Sequence, residues 1–181
     1  VAQLSYIVIA IMLLTPDGVT ASLIHVFNHS IIKTGLFLII TILFINNNNI
    51  TLNDIAGLNS KHPLIASSFL ILLLGLVGLP LTSGFISKWY LLLGIMENGW
   101  WPLIPLIVIG SLLAVVYMWK IIEAAYFFQA PPDRVPVKEV PLELLIPLWF
   151  LIGCNFYFGV QPDITIGIAN EAATSLLDPR P

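Results

Sequence analysis

An all-α, polytopic membrane fold of about five helical spans, one of them discontinuous, is the reading this sequence supports, and three observations carry it. Of 181 residues, 58% are hydrophobic and only 9% charged, with a mean hydropathy of +0.96, whereas soluble domains carry about 25% charged residues. The apolar runs are long, and a helix needs about 20 residues to cross the hydrocarbon; they lack the ten-residue alternation of outer-membrane strands. One run is interrupted by glycines, a proline and hydroxyl residues, the mark of a broken helix. The net charge of −3 argues against nucleic acid as a partner. The single cysteine, Cys154, lies in an apolar run and excludes disulfide frameworks and cysteine-ligated clusters.

Taken in order, VAQLSYIVIAIMLL (residues 1–14) reads as the remainder of a first span. It has neither an initial Met nor the basic region and cleavage site of a signal peptide, so the chain is expected to be the C-terminal portion of something longer. Thr15-Pro-Asp-Gly18 is expected to form a tight turn, with Asp17 or Thr20 capping a second span over about 20–45. That span ends in the asparagine run Asn46–Asn49 and a polar connector, Thr51–Pro63, with a short interfacial helix.

The third stretch, about 64–96, exceeds a single span. Gly78, Pro80 and Gly84 break it: proline removes a backbone donor, and unpaired backbone at that depth must face protein or a wet cavity. Trp100 and Trp101 suit an interfacial aromatic belt. A fourth span covers about 103–128 and a proline-rich loop Ala130–Pro141. A fifth span covers about 142–160, and in the tail Ile164, Ile168, Ala172 and Leu176 have the spacing of an amphipathic surface helix. Lys61, Arg134, Lys138 and a snorkelling Lys120 fall on one side, and Arg180 on the other with five acidic residues. The positive-inside rule makes the first side cytoplasmic and puts the C-terminus outside.

The chemistry concentrates in the second span, where His25, His29 and Lys33 recur every four residues. Such positions share a helix face and here form a ladder rising about 12 Å at ~1.5 Å per residue. Titratable groups inside a span are costly and face protein, water or one another. Four readings stand: polar glue between helices; haem ligation, disfavoured because axial histidines come from facing helices; a metal site, lacking a third ligand in the span; and a proton relay, since imidazole titrates near neutrality and a buried lysine can alternate between its charged and neutral forms. Asn28 and Ser30 flank the ladder and serve either to hold bridging waters or to pack.

Lys88 follows the break and is read either as a snorkelling side chain or as an exit-side station in a hydrated cavity. Lys120 and Glu123, at i,i+3, are spaced to pair, as an anchor near the cytoplasmic surface or as accessory groups. His62, before Pro63, reads as an ordinary loop residue. No nucleotide loop, nucleophile elbow or metal-cluster motif is present. A transporter component without cofactor or metal is expected, not an enzyme.

VAQLSYIV, then LIHVFNHSIIKTGLFL, then DIAGLNSKHP and GLPLTSGFISKWYLL together resemble the antiporter-like membrane subunits of respiratory complex I, membrane-bound hydrogenases and Mrp-type cation/proton antiporters. Downstream, ENGWW, SLLAVVYMWKIIEAAYF and PLELLIPLWFLIGCNFYFGV look most like the D component of the Mrp antiporters. The resemblance implies two inverted repeats of five helices, of which residues 1–129 would supply the end of the second and 130–181 the last loop, span and tail. It implies that His29, Lys33 and Lys88 belong to a hydrated axis along the membrane midplane. It further implies proton movement coupled to Na⁺ or K⁺, or to electron transfer elsewhere in a complex I or hydrogenase assembly. The partners would be other membrane subunits and lipid, in a bacterial or archaeal cytoplasmic membrane. A non-conducting scaffold is the remaining alternative.

Overall fold

The computed structural model describes residues 2–45, 51–129 and 140–178. Among these residues it is all-α: α1 (Ala2–Met12), α2 (Pro16–Phe44), α3 (Leu52–Ile55), α4 (Leu58–Lys61), α5 (Pro63–Val77), α6 (Ser83–Glu97), α7 (Leu103–Phe127), α8 (Leu142–Val160) and α9 (Asp163–Leu177). The asparagine run, most of the proline-rich loop with Arg134 and Lys138, and Arg180 lie outside the described residues.

The expected turn at 15–18 is instead the start of α2. Thr15 is the N-cap, its hydroxyl accepting from the Gly18 N–H at 3.0 Å, and Pro16 occupies the first helical position. Proline's fixed φ and missing donor suit that position as well as they suit a turn. The reversal falls one residue earlier, at Leu14, which takes a left-handed φ of 52°. With 29 residues, α2 is about 44 Å long at ~1.5 Å per residue, more than the hydrocarbon thickness. The connector forms two one-turn helices, α3 and α4.

The third hydrophobic stretch is broken where the composition places the break. α5 closes on Gly78, whose φ of 85° only glycine adopts readily, and the Leu79 N–H reaches back to the Leu74 carbonyl at 3.1 Å. Residues 78–82 then cross to α6. Each half has 15 residues, too few to span alone. The halves approach so closely that a Cβ on Gly84 would collide with the Gly75 carbonyl oxygen.

α2 is the hub, touching α1, α5, α6, α8 and α9. The buried apolar residues divide into two clusters. One joins Ile32, Leu36 and Ile39 of α2 to Phe69 and Leu72 of α5, with Met118 and Ile152. The other joins Tyr6 and Ala10 of α1 to Leu91 and Ile95 of α6, with Ile107. The buried polar residues include His25, Asn28, Ser83, Ser87, Lys88 and Asn155, and hydrogen bonds at the break link α2, α6 and α8 through them.

The tail forms the helix α9, which presents a small-residue face to the protein and leaves its large apolar side chains outward. Ile164, Ile168 and Leu176 stay exposed, while Ala169 and Ala173 are buried as α9 packs on α2. The Thr20 hydroxyl donates to Asn170 Oδ1 at 2.7 Å across that contact. Small side chains allow the close approach that the larger ones would prevent.

Candidate functional site

The break creates the site. A helix end leaves carbonyls without intrahelical partners, and Lys88, on the second turn of α6, folds back so that its Nζ donates to the Val77 carbonyl at the end of α5. A cation at a helix C-terminus is also favoured by the helix dipole. Nζ donates in addition to Ser111 Oγ of α7 at 3.1 Å and lies 5.4 Å from the centre of the Tyr6 ring. With 7% exposure Lys88 is buried, so its side chain does not snorkel to the surface.

His25 stands across Tyr6 from Lys88, its ring edge-on to the phenol at 6.1 Å. Its Nδ1 is 2.8 Å from Ser87 Oγ, and the Ser87 hydroxyl donates to the Gly84 carbonyl at 3.2 Å. With the serine proton directed at that carbonyl, Oγ is placed to accept from an Nδ1–H, the tautomer that leaves Nε2 as an open acceptor. His29 stacks on His25, ring centres 5.9 Å apart and planes 7° apart. His25 Nε2, His29 Nδ1 and Asn28 Oδ1 are buried without a hydrogen-bond partner among the described residues. All three residues, with Gln3, line a cavity of about 10 Å³, roughly the room one water needs.

Lys33, one turn beyond His29, is half-buried, and its Nζ lies 5.8 Å from the Phe37 ring. Ser30 turns its hydroxyl to the Val26 carbonyl of its own helix at 2.7 Å. Lys120 is exposed and Glu123 half-buried, and the spacing that would pair them produces no ion pair among the described residues. Gly78 and Gly84 hold the break as described, whereas Pro80 is exposed within it. No third metal ligand joins His25 and His29 among the described residues. A larger groove of about 410 Å³ between α2 and α9 is lined by apolar side chains such as Leu23, Phe27 and Ile168 and carries no titratable group.

Sequence reasoning misses four participants. Tyr6, Ser87 and Ser111 are ordinary span residues until the fold brings them to Lys88 and His25. Asn155, at 0% exposure, accepts at Oδ1 from the Ser83 N–H (3.3 Å) and Ser83 Oγ (2.8 Å). An asparagine in the middle of an apolar span is a legible oddity, and only its partner is hidden.

Residues 1–114 match the family described as NADH:quinone oxidoreductase/Mrp antiporter, transmembrane. Among curated relatives, the chain is 34% identical over 187 aligned residues to NADH-quinone oxidoreductase subunit N of Desulforudis audaxviator, covering 97% of this chain and 36% of that protein. It is 29% identical to NADH-quinone oxidoreductase subunit M of Rickettsia bellii, covering 98% and 36%. The chain thus spans about a third of the length of these relatives. Its fold is like that of a chain in the Mrp complex from Dietzia sp., with a TM-score of 0.86 at 24% identity, covering 98% of this chain and 41% of that one. It is likewise similar to a chain of respiratory complex I from Thermus thermophilus, with a TM-score of 0.81 at 22% identity, covering 97% and 38%. A chain of an archaeal membrane-bound sulfane sulfur reductase gives a TM-score of 0.73 at 31% identity over 82% of this chain and 24% of that one. On the family match over most of its length, this chain belongs to the transmembrane NADH:quinone oxidoreductase/Mrp antiporter family of multi-pass membrane subunits.

Proposed function

We propose that this chain conducts protons through the polar layer at the helix break, as part of an antiporter-like subunit in a multisubunit membrane assembly. One observation carries the reading. His29 stacks on His25, His25 meets both Ser87 and the Tyr6 ring, and the Tyr6 ring meets Lys88, a series of contacts from α2 through α1 to α6. A purely structural polar layer would pair its groups fully, whereas here the buried nitrogens of both histidines are left open toward a water-sized cavity. His25 is suited to a relay, because imidazole takes up and releases a proton near neutrality and its Nε2 opens on the cavity. Lys88 is the outward station, and charge on one station disfavours charge on the next across low-dielectric surroundings. Lys33 is a feeder to His29 from one turn along α2, and Lys120 and Glu123 are peripheral.

Two couplings fit this path. In an Mrp-type setting proton entry drives Na⁺ or K⁺ outward, a reading supported by the fold likeness to the Mrp complex. In a complex I setting electron transfer in other subunits drives the protons, a reading supported by the sequence likeness to the quinone oxidoreductase subunits. The rest of the assembly would sit in a bacterial or archaeal cytoplasmic membrane, with this chain's C-terminus outside. Purifying the assembly that contains this chain and placing it in vesicles separates them. Proton movement on imposing a Na⁺ or K⁺ gradient supports the antiporter. Proton movement only on adding an electron donor and a quinone supports the oxidoreductase. An assembly that moves protons under neither condition would sink both in favour of the scaffold.

A further inference from the structure

We infer that Asn155, on the last span, is a positioning residue for Lys88: it acts as the N-cap of the half-helix α6. The role rests on the relay reading above. α6 has no cap of its own. Thr82 occupies the N-cap position but directs its hydroxyl to the Leu79 carbonyl at 2.7 Å and makes no capping bond. The first turn of a helix leaves several N–H groups unpaired, and at membrane depth protein must meet them. Asn155 Oδ1 does so from α8, accepting from both the Ser83 N–H and the Ser83 hydroxyl.

The same amide also packs on the other half of the break. A Cβ on Gly75, in the last turn of α5, would come within 2.9 Å of Asn155 Nδ2. One side chain therefore touches both half-helices. From the opposite side Asn28 Nδ2 donates to the Ser83 carbonyl at 2.7 Å, so Ser83 is gripped between α2 and α8. Lys88 follows Ser83 by five residues, about 7.5 Å along the axis at ~1.5 Å per residue. A slip or rotation of the first turn of α6 is thus carried to the ammonium. Asn155 Nδ2 finds no hydrogen-bond partner among the described residues. A buried donor left unpaired is a cost that a leucine of similar size would not incur, which points to placement of α6 as the purpose of the amide. Residue 155 lies beyond the residues the family pattern matches, so the pattern itself does not assign this role.

The test uses the complete assembly in proteoliposomes, with Asn155→Leu, Asn155→Asp and, as control on the same helix, Gly153→Ala, where an added Cβ meets nothing within 4 Å. Assembled Asn155→Leu is expected to move protons about five- to thirty-fold more slowly, the effect of one lost cap and the misplacement it allows. The pH at which its rate is half-maximal should also shift. Asn155→Asp keeps an acceptor with a charge suited to a helix N-terminus and should retain most of the rate, and Gly153→Ala all of it. A wild-type rate and pH profile in assembled Asn155→Leu, or Asn155→Asp no better than Asn155→Leu, would overturn the role. Should Asn155→Leu fail to assemble, Ser83→Ala removes one of the two bonds and is expected to shift the pH profile in the same direction; an unshifted profile counts against the proposal. If Lys88→Gln is inactive while Asn155→Leu is normal, this role alone fails; if Lys88→Gln is fully active, the relay itself fails.

Discussion

The ammonium of Lys88 closes the end of α5 by donating to the carbonyl of Val77, eleven residues earlier and across the break. The lysine is thereby part of the break's construction as well as a charged group beside it. A neutral Lys88 would still carry two N–H donors, but it would lose the interaction of a full charge with the helix end. Protonation at Lys88 is therefore coupled to how tightly the two half-helices are held.

Close packing of those halves gives the first prediction. Gly84→Ala places a methyl group against the Gly75 carbonyl, where backbone on both sides has little room to yield. The substitution should destabilise the assembly by about 1–3 kcal/mol, read as a lowered Tm of the detergent-solubilised complex. An unchanged Tm would show that the halves are farther apart than this contact requires.

His25 is expected to matter as much as His29. It is buried at 6% exposure and bonded to Ser87, and it stands between His29 and the Tyr6–Lys88 contact. His25→Leu should lower the rate of proton movement by at least about tenfold, a modest share of the usual value of a positioned acid–base group, with the complex still assembled. Equal rates for His25→Leu and wild type would leave His29 without a route to Lys88.

Lys120 should be dispensable. Its side chain is exposed and lacks an ion-pair partner among the described residues, and isolated surface charges contribute little. Lys120→Gln is expected to change transport by less than about twofold, measured beside Lys88→Gln in the same vesicles. A large loss would place Lys120 on a second proton path.

The spans are legible because the length of an apolar run is a local property, and Gly78 and Gly84 announce the break in the same way. Thr15-Pro-Asp-Gly18 misleads because Pro16 suits the first turn of a helix as well as a tight turn. The ladder is legible only in part. Four residues advance a helix by slightly more than one turn, so Lys33 lies about 80° around the axis from His25 at 3.6 residues per turn, and it is half-buried where His25 is buried. Tyr6 and Ser111 are invisible as participants, and Asn155 shows only as an oddity whose partner is hidden. Their partners lie far along the chain, as when Asn155 reaches Ser83 72 positions away, and a single sequence carries no trace of such contacts. α9 is evident as a helix, but its second, small-residue face at Ala169 and Ala173, which packs on α2, is not, because spacing records where large apolar residues recur and not which small ones a neighbour can approach.

The measurement that bears most directly on a relay through the break is proton movement by the intact assembly carrying Lys88→Gln. Glutamine retains two donors for the Val77 carbonyl and Ser111 but cannot exchange a proton at neutral pH. Reconstituted in vesicles and driven by whichever ion gradient or electron donor powers the wild type, the assembled variant is expected to lose proton movement by at least about a hundredfold, the lower end of what a positioned acid–base group supplies. Proton movement at the wild-type rate, from a variant assembled to wild-type level, would contradict a relay through the broken helix.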